Sequence, residues 1–278
     1  MIHDYFTEDR AKYAAQGIVL YIFDDSKTAN FVKECLIPFR RAYLSDEKLD
    51  KIEAKKQNSR KDIINRRLPD PGEVMSGDFG EILTYYMATE LWLPNVYYKP
   101  LKWRFKNDFK KASPKTDVVL FQLVNDVNHP DANDTLITYE AKAHATPIAG
   151  KYGTHTQKTA ITYKDGKDRC TFVDAVFDAD KDRASRSAES IIYLKNIAED
   201  TGDDDFMDVL KRFEQGYTVP YNTLHNAVAI IESTDIDNQI SRMPKDLMTT
   251  FPGIILYCMP IKNLKTIYES IFSQLENT

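Results

Sequence analysis

Hydrophobic and polar positions alternate along the chain in a way that predicts strands and helices in turn. Gly17 to Phe23 is an apolar run closed by Asp24, Asp25 and Ser26, the length and punctuation of a buried strand. From about Thr28 to Tyr43, the residues Phe31, Leu36, Phe39 and Tyr43 recur near helical spacing. Residues 46–67 are dense in charge, and Pro69-Asp70-Pro71-Gly72 then breaks the chain. Residues 1–70 therefore read as an N-terminal α/β extension and 71–278 as the main domain. A helix follows, with Ser76 or Asp78 as its natural N-cap, and ends before Pro94. Val118–Val124 and Leu136–Ala143 are strand candidates, separated by a turn rich in Asn, Asp and Pro from Asn125 to Asp134. Arg183–Ile197 reads as a helix, Ala227–Ile231 and Gly253–Cys258 as strands, and Leu264–Leu275 as a final amphipathic helix. The expected fold class is α/β, a central mixed sheet flanked by helices, without internal repeats.

One strand departs from its own pattern. Along Leu136–His144, Ile137, Tyr139, Ala141 and Ala143 make an apolar face, while Glu140, Lys142 and His144 turn the other face polar towards the end. A carboxylate beside an ammonium in a half-buried sheet is costly unless something uses it. With the hairpin turn centred near Pro130, Asp117 lies opposite Ala143 and within a residue or two of Glu140. Two carboxylates this close repel unless a cation separates them, and hard oxygen ligands favour Mg²⁺ or Mn²⁺. Such an ion lowers the pKa of bound water, and Lys142 beside it can serve that water or the transition state. These parts suffice for phosphodiester hydrolysis.

Charge refines the picture. The net charge is -5, which argues against indiscriminate coating of nucleic acid. Between Lys99 and Lys115, however, seven cations face one acid, Asp108. Within that stripe Lys102, Arg104, Lys106 and Lys115 are candidate phosphate contacts. Arg183 and Arg186 are weaker candidates, read as solvated helix charge. The three cysteines, Cys35, Cys170 and Cys258, are scattered and fit reduced thiols in the cytoplasm. The opening ten residues lack a signal-peptide layout, and no apolar run is long enough to span a bilayer. His144 and His155 have no zinc-ligand spacing, and Asp203-Asp204-Asp205 reads as a capped helix start. There is no phosphate-binding glycine loop with lysine.

The ordered set Gly80-Glu81, Lys115-Thr116-Asp117 and Glu140-Ala141-Lys142 resembles the signature of the PD-(D/E)xK nucleases, the fold of many restriction enzymes. With Gly77-Asp78-Phe79-Gly80-Glu81 it also looks like the HamA family, nuclease subunits of the bacterial Hachiman anti-phage system. The resemblance rests on Ser76 to Ala143, about a quarter of the chain. It implies a restriction-endonuclease-like core and Glu81 as a further metal ligand, with the backbone carbonyl of Ala141 completing the set. Gln157 and Lys158 fall where related nucleases carry further active-site side chains. It also implies DNA cleavage or nicking and a helicase or ATPase partner (HamB-like), for which residues 1–70 are a candidate docking part. The alternatives are a non-catalytic DNA-binding or assembly subunit that keeps the fold, or a hydrolase of RNA or nucleotides.

Overall fold

A computed structural model of the chain describes residues 1–56, 59–93, 97–112, 115–147, 149–153, 166–214 and 218–278. Among these, six strands join in one sheet: β1 (Phe6–Asp9), β2 (Ile18–Phe23), β3 (Val118–Gln122), β4 (Thr135–His144), β5 (Asn222–Glu232) and β6 (Ile254–Ile261). Their order is β1-β2-β6-β5-β4-β3. The four inner strands run parallel, and β1 and β3 close the two edges antiparallel. The helices are α1 (Thr28–Tyr43), α2 (Asp46–Lys56), α3 (Arg60–Asn65), α4 (Glu73–Met87), α5 (Thr171–Lys181), α6 (Ser187–Thr201), α7 (Asp204–Arg212), α8 (Ile236–Arg242), α9 (Leu247–Thr250) and α10 (Leu264–Gln274). No helix among the described residues is long and apolar enough to cross a membrane.

The inner strands are apolar on both faces, as a sheet covered on both sides requires. In β5, Val228 and Ile230 join the core with Phe79 and Ile82 of α4, Phe39 of α1 and Ile271 of α10. Its alternate residues Ala227, Ala229 and Ile231 meet Phe172 and Val176 of α5 on the opposite face. Beside them, Val119, Phe121 and Leu136 pack under Ile191 and Leu194 of α6 and Leu210 of α7. Parallel strands need long crossovers, and α5 to α7 provide the one from β4 to β5.

Residues 1–70 do not stand apart from this sheet. β2 is hydrogen-bonded to β6, and α1 shares its core with α10. The break at Pro69–Gly72 is a turn into α4, with Gly72 at φ +117°, and not a boundary in the core. That helix begins at Glu73 rather than at Ser76 or Asp78. Ser76 instead donates its hydroxyl to the Ala143 carbonyl at 3.0 Å, and Asp78 is buried. The helix expected over Arg183–Ile197 is the second half of a longer element, in which one π-helical turn, Asp182–Arg186, joins α5 to α6. Asp203 caps α7 as expected, accepting the Phe206 N–H at 3.0 Å. Cys35, Cys170 and Cys258 are free thiols and buried.

Candidate active site

The hairpin brings two acids together. Val118 pairs with Tyr139, so the register carried one residue further sets Asp117 opposite Glu140 rather than Ala143. The Asp117 backbone N–H donates to Glu140 Oε1 at 3.3 Å, and Asp117 Oδ2 accepts the Ala141 N–H at 2.9 Å. A side chain thus takes over the ladder where β3 stops. Both residues are buried, Glu140 to 1% exposure and Asp117 to 8%. Glu140 is thus fully covered, whereas Lys142, Ala143 and His144 at the end of β4 stay partly exposed.

Glu81 arrives from the opposite layer. A Cβ on Gly80 would stand 2.8 Å from the Ala143 Cβ, so only glycine lets α4 sit this close to β4. One residue on, Glu81 Oε2 accepts the Trp103 Nε1–H at 2.9 Å and lies 3.2 Å from Lys102 Nζ. Lys102 donates to the Thr116 carbonyl at 2.8 Å and reaches Asp117 Oδ1 at 3.8 Å, which links the two acids through one ammonium.

A third group comes from the π-helical turn and its neighbours. Asp178, Asp182, Arg186 and Ser190 recur every four residues, and all four enter the site. Lys142 Nζ lies 2.8 Å from Asp178 Oδ2 and 3.5 Å from Glu140 Oε2. Arg186 Nη1 lies 2.9 Å from Glu140 Oε1. Asp182 Oδ1 accepts the Thr116 hydroxyl at 2.9 Å, and the Ser190 hydroxyl donates to Thr116 Oγ1 at 2.8 Å.

Burial without full compensation sets the electrostatics. It pushes the Glu81 carboxyl up to about 8, Lys102 opposing and Asp117 adding. Burial, then Asp117 and Asp182, raises Glu140 well above the carboxylate range. Asp182 is pushed up to about 6 by burial, against the Thr116 hydrogen bond. Asp178 is held down to about 2, because Lys142 and Lys181 outweigh its burial. For Lys142, burial disfavours the ammonium, yet Asp117, Glu140 and Asp178 prevail and raise its pKa.

The donors suit a hard divalent cation. They are all oxygens, and Asp182 Oδ2 is buried without a hydrogen-bond partner. Among the described residues no three acids are grouped to hold an ion as they stand. Lys102 and Arg186 occupy the oxygens such an ion would use. Beside the acids opens a cleft of about 1090 Å³, lined in part by Glu81, Asp117, Lys142, His144, Arg169 and Lys265. His144 Nδ1 meets Thr171 Oγ1 at 3.2 Å, and burial lowers its pKa.

The basic stripe needs correction. Lys102 and Lys106 are buried and face acids, not solvent: Lys106 Nζ lies 2.6 and 2.8 Å from the two oxygens of Asp78. Arg104 is only partly exposed and donates to the Arg41 carbonyl at 3.0 Å. Lys115 stays exposed and pairs with Glu189 at 2.6 Å. Arg183 turns away to the Pro252 carbonyl at 2.7 Å, whereas Arg186, its helix neighbour, reaches Glu140. His155, Gln157 and Lys158 lie outside the described residues. Sequence reasoning missed Asp178, Asp182 and the role of Arg186, although their four-residue spacing was open to view.

A family model described as HamA matches residues 3–275, nearly the whole chain. No curated protein matches it.

Proposed function

The chain belongs to the HamA family, and on that premise we propose that it is a metal-dependent DNA endonuclease or nickase of the PD-(D/E)xK type, the effector of an anti-phage defence complex controlled by a helicase partner. The observation that carries this reading is the convergence of Asp117, Glu140 and Lys142, with Asp117 and Lys142 on the wall of one cleft. Asp117, Glu140 and the Ala141 carbonyl would hold Mg²⁺ or Mn²⁺, with Glu81 joining from α4. The ion supplies an activated water and offsets charge on the phosphate. Lys142, kept cationic by Asp117, Glu140 and Asp178, is a fixed positive charge for the oxygens on phosphorus. That protonation favours electrostatic work over proton abstraction. Arg169 and Lys265 line the same cleft and offer charge to a phosphate backbone, in place of the buried Lys102 and Lys106.

The test is digestion of supercoiled plasmid by the purified chain, alone and with its helicase partner. Nicked or linear product should form with Mg²⁺ or Mn²⁺, not with Ca²⁺ or EDTA, and Lys142→Ala should reduce it on the order of 10³-fold. Cleavage that survives EDTA, or a Lys142→Ala protein as active as wild type, sinks the proposal.

A further inference from the structure

Asp182 has no part in the chemistry just described, yet it is fully buried at the first position of the π-helical turn. Such turns concentrate at functional sites. Its two oxygens are treated differently. Oδ1 is fixed by the Thr116 hydroxyl, itself held by Ser190, so the carboxyl is positioned without help from any ligand. Oδ2 is buried and has no hydrogen-bond partner. Asp182 and Glu140 face the same guanidinium, that of Arg186, so the two buried carboxyls stand on either side of one cation. Two buried carboxyls in that relation require a proton or a cation between them.

Arg186 supplies part of that cation now. Its Nη1 lies 2.9 Å from Glu140 Oε1 and its Nε 3.6 Å from Asp182 Oδ1. It also has somewhere else to go: Nη2 is 3.8 Å from Asp178 Oδ1, and the side chain is 23% exposed. A divalent ion and a guanidinium cannot both sit against the same carboxylate oxygen without strong repulsion. We propose that Asp182 is a fourth carboxylate of the cation site, and that a divalent cation enters between Glu140 and Asp182 in exchange for the guanidinium of Arg186. The inference rests on the nuclease reading for the presence of a divalent ion and adds a ligand and a displaced counter-ion to it. Asp182 and Arg186 then act with opposite sign on the same equilibrium.

Mn²⁺ binding to the full chain without DNA, followed by electron paramagnetic resonance and calorimetry, tests this. Asp182→Asn keeps the volume and the acceptor for Thr116, and should weaken Mn²⁺ by about tenfold or more. Arg186→Gln removes the competitor and should tighten Mn²⁺ several-fold. General damage to the site weakens both, so opposite signs support the exchange. Wild-type affinity in Asp182→Asn, while Asp117→Ala loses the ion, overturns the assignment of Asp182 and leaves the nuclease reading intact. Unchanged or weaker binding by Arg186→Gln overturns the exchange. If Asp182→Asn does not fold, the Arg186→Gln result decides by the same criterion. A wild-type chain that binds no Mn²⁺ removes both the nuclease reading and this extension of it.

Discussion

A buried acid stands at each end of the stretch of β4 that pairs with β3, Thr135 to Tyr139, and the two ends are finished differently. Just before its first residue, Asp134 is 1% exposed and paired with Arg212, also 1% exposed, at 2.7 Å. The Asp134 oxygens also accept the N–H groups of Val124 at 2.8 Å and Asp131 at 3.0 Å. Arg212 spends its other donors on the carbonyls of Asp131, Val219 and Pro220. That end is one acid, one base and a saturated set of hydrogen bonds. At the other end Glu140 is equally buried but shares its surroundings with Asp117 and Asp182, and one oxygen of Asp182 has no partner. Equal burial therefore serves opposite purposes. The closed end pins the loops around β4, while the open end gathers several carboxyls that protons or cations must balance.

The largest effect separating the two ends should be on stability. Arg212→Met leaves Asp134 buried and unpaired, and should cost about 3–5 kcal/mol. Thermal melts check this, and Asp134→Leu added to Arg212→Met should recover much of the loss. Glu140→Gln, at the open end, should melt in EDTA no lower than wild type, because it removes repulsion. A large drop there would mean that the acids are structural and the contrast is false.

A smaller effect concerns how α4 reaches the open end. Gly80→Ala puts a methyl group 2.8 Å from the Ala143 Cβ. Forcing it in should cost about 1–3 kcal/mol, and should weaken Mn²⁺ binding by lifting Glu81 away from Lys102 and Asp117. Melts and Mn²⁺ titration of the same variant would expose a failure, which is a stable protein with wild-type affinity.

The smallest effect is a difference in sign with pH. Although burial pushes Asp134 up, the two backbone N–H groups and Arg212 prevail and lower its pKa. Its contribution is present above the unfolded value of about 3.9 and lost as pH falls through the folded one. Asp182, raised by burial to about 6, binds its proton more tightly when folded, so stability grows as pH falls through 6 towards the unfolded value. In chelator, the melting temperature should rise by a few degrees from about pH 7 to about pH 5, with Glu81 and Glu140 acting in the same direction, and Asp182→Asn should lessen that rise. A flat wild-type profile would contradict the raised pKa of Asp182.

Much of the sheet was legible in the pattern, because apolar runs bounded by turn residues depend on local chemistry. α1 begins and ends where its spacing predicts, and β2, β3, β4 and β6 fall within a few residues of their expected bounds. The hairpin register was off because Asp126 and Asp131 fold the turn through side-chain bonds to nearby N–H groups, which moves its centre. β1 went unseen, being four residues long and half charged. The convergence of Asp117, Glu140 and Lys142 was legible, because strand alternation puts Glu140 and Lys142 on one face and the hairpin returns Asp117 beside them. It was misread at Lys102 and Lys106, whose partners Glu81 and Asp78 lie on another element more than twenty residues earlier. Composition cannot distinguish a solvated lysine from one that is buried against an acid, because only the tertiary fold chooses.

The strand order also fixes a timetable. β5 supports β4 on one edge, and its other edge stays open until β6 arrives. β2 must wait for the same strand, made some 230 residues after its own last residue. At roughly 5–20 residues per second, synthesis leaves β2 unpaired on that side for tens of seconds and β5 for a few seconds. Until then Ala227 to Ile231 is an apolar edge on the ribosome, a template for wrong pairing or for a chaperone. A chain cut short before Ile254 would carry every acid of the site on a sheet that has lost its middle.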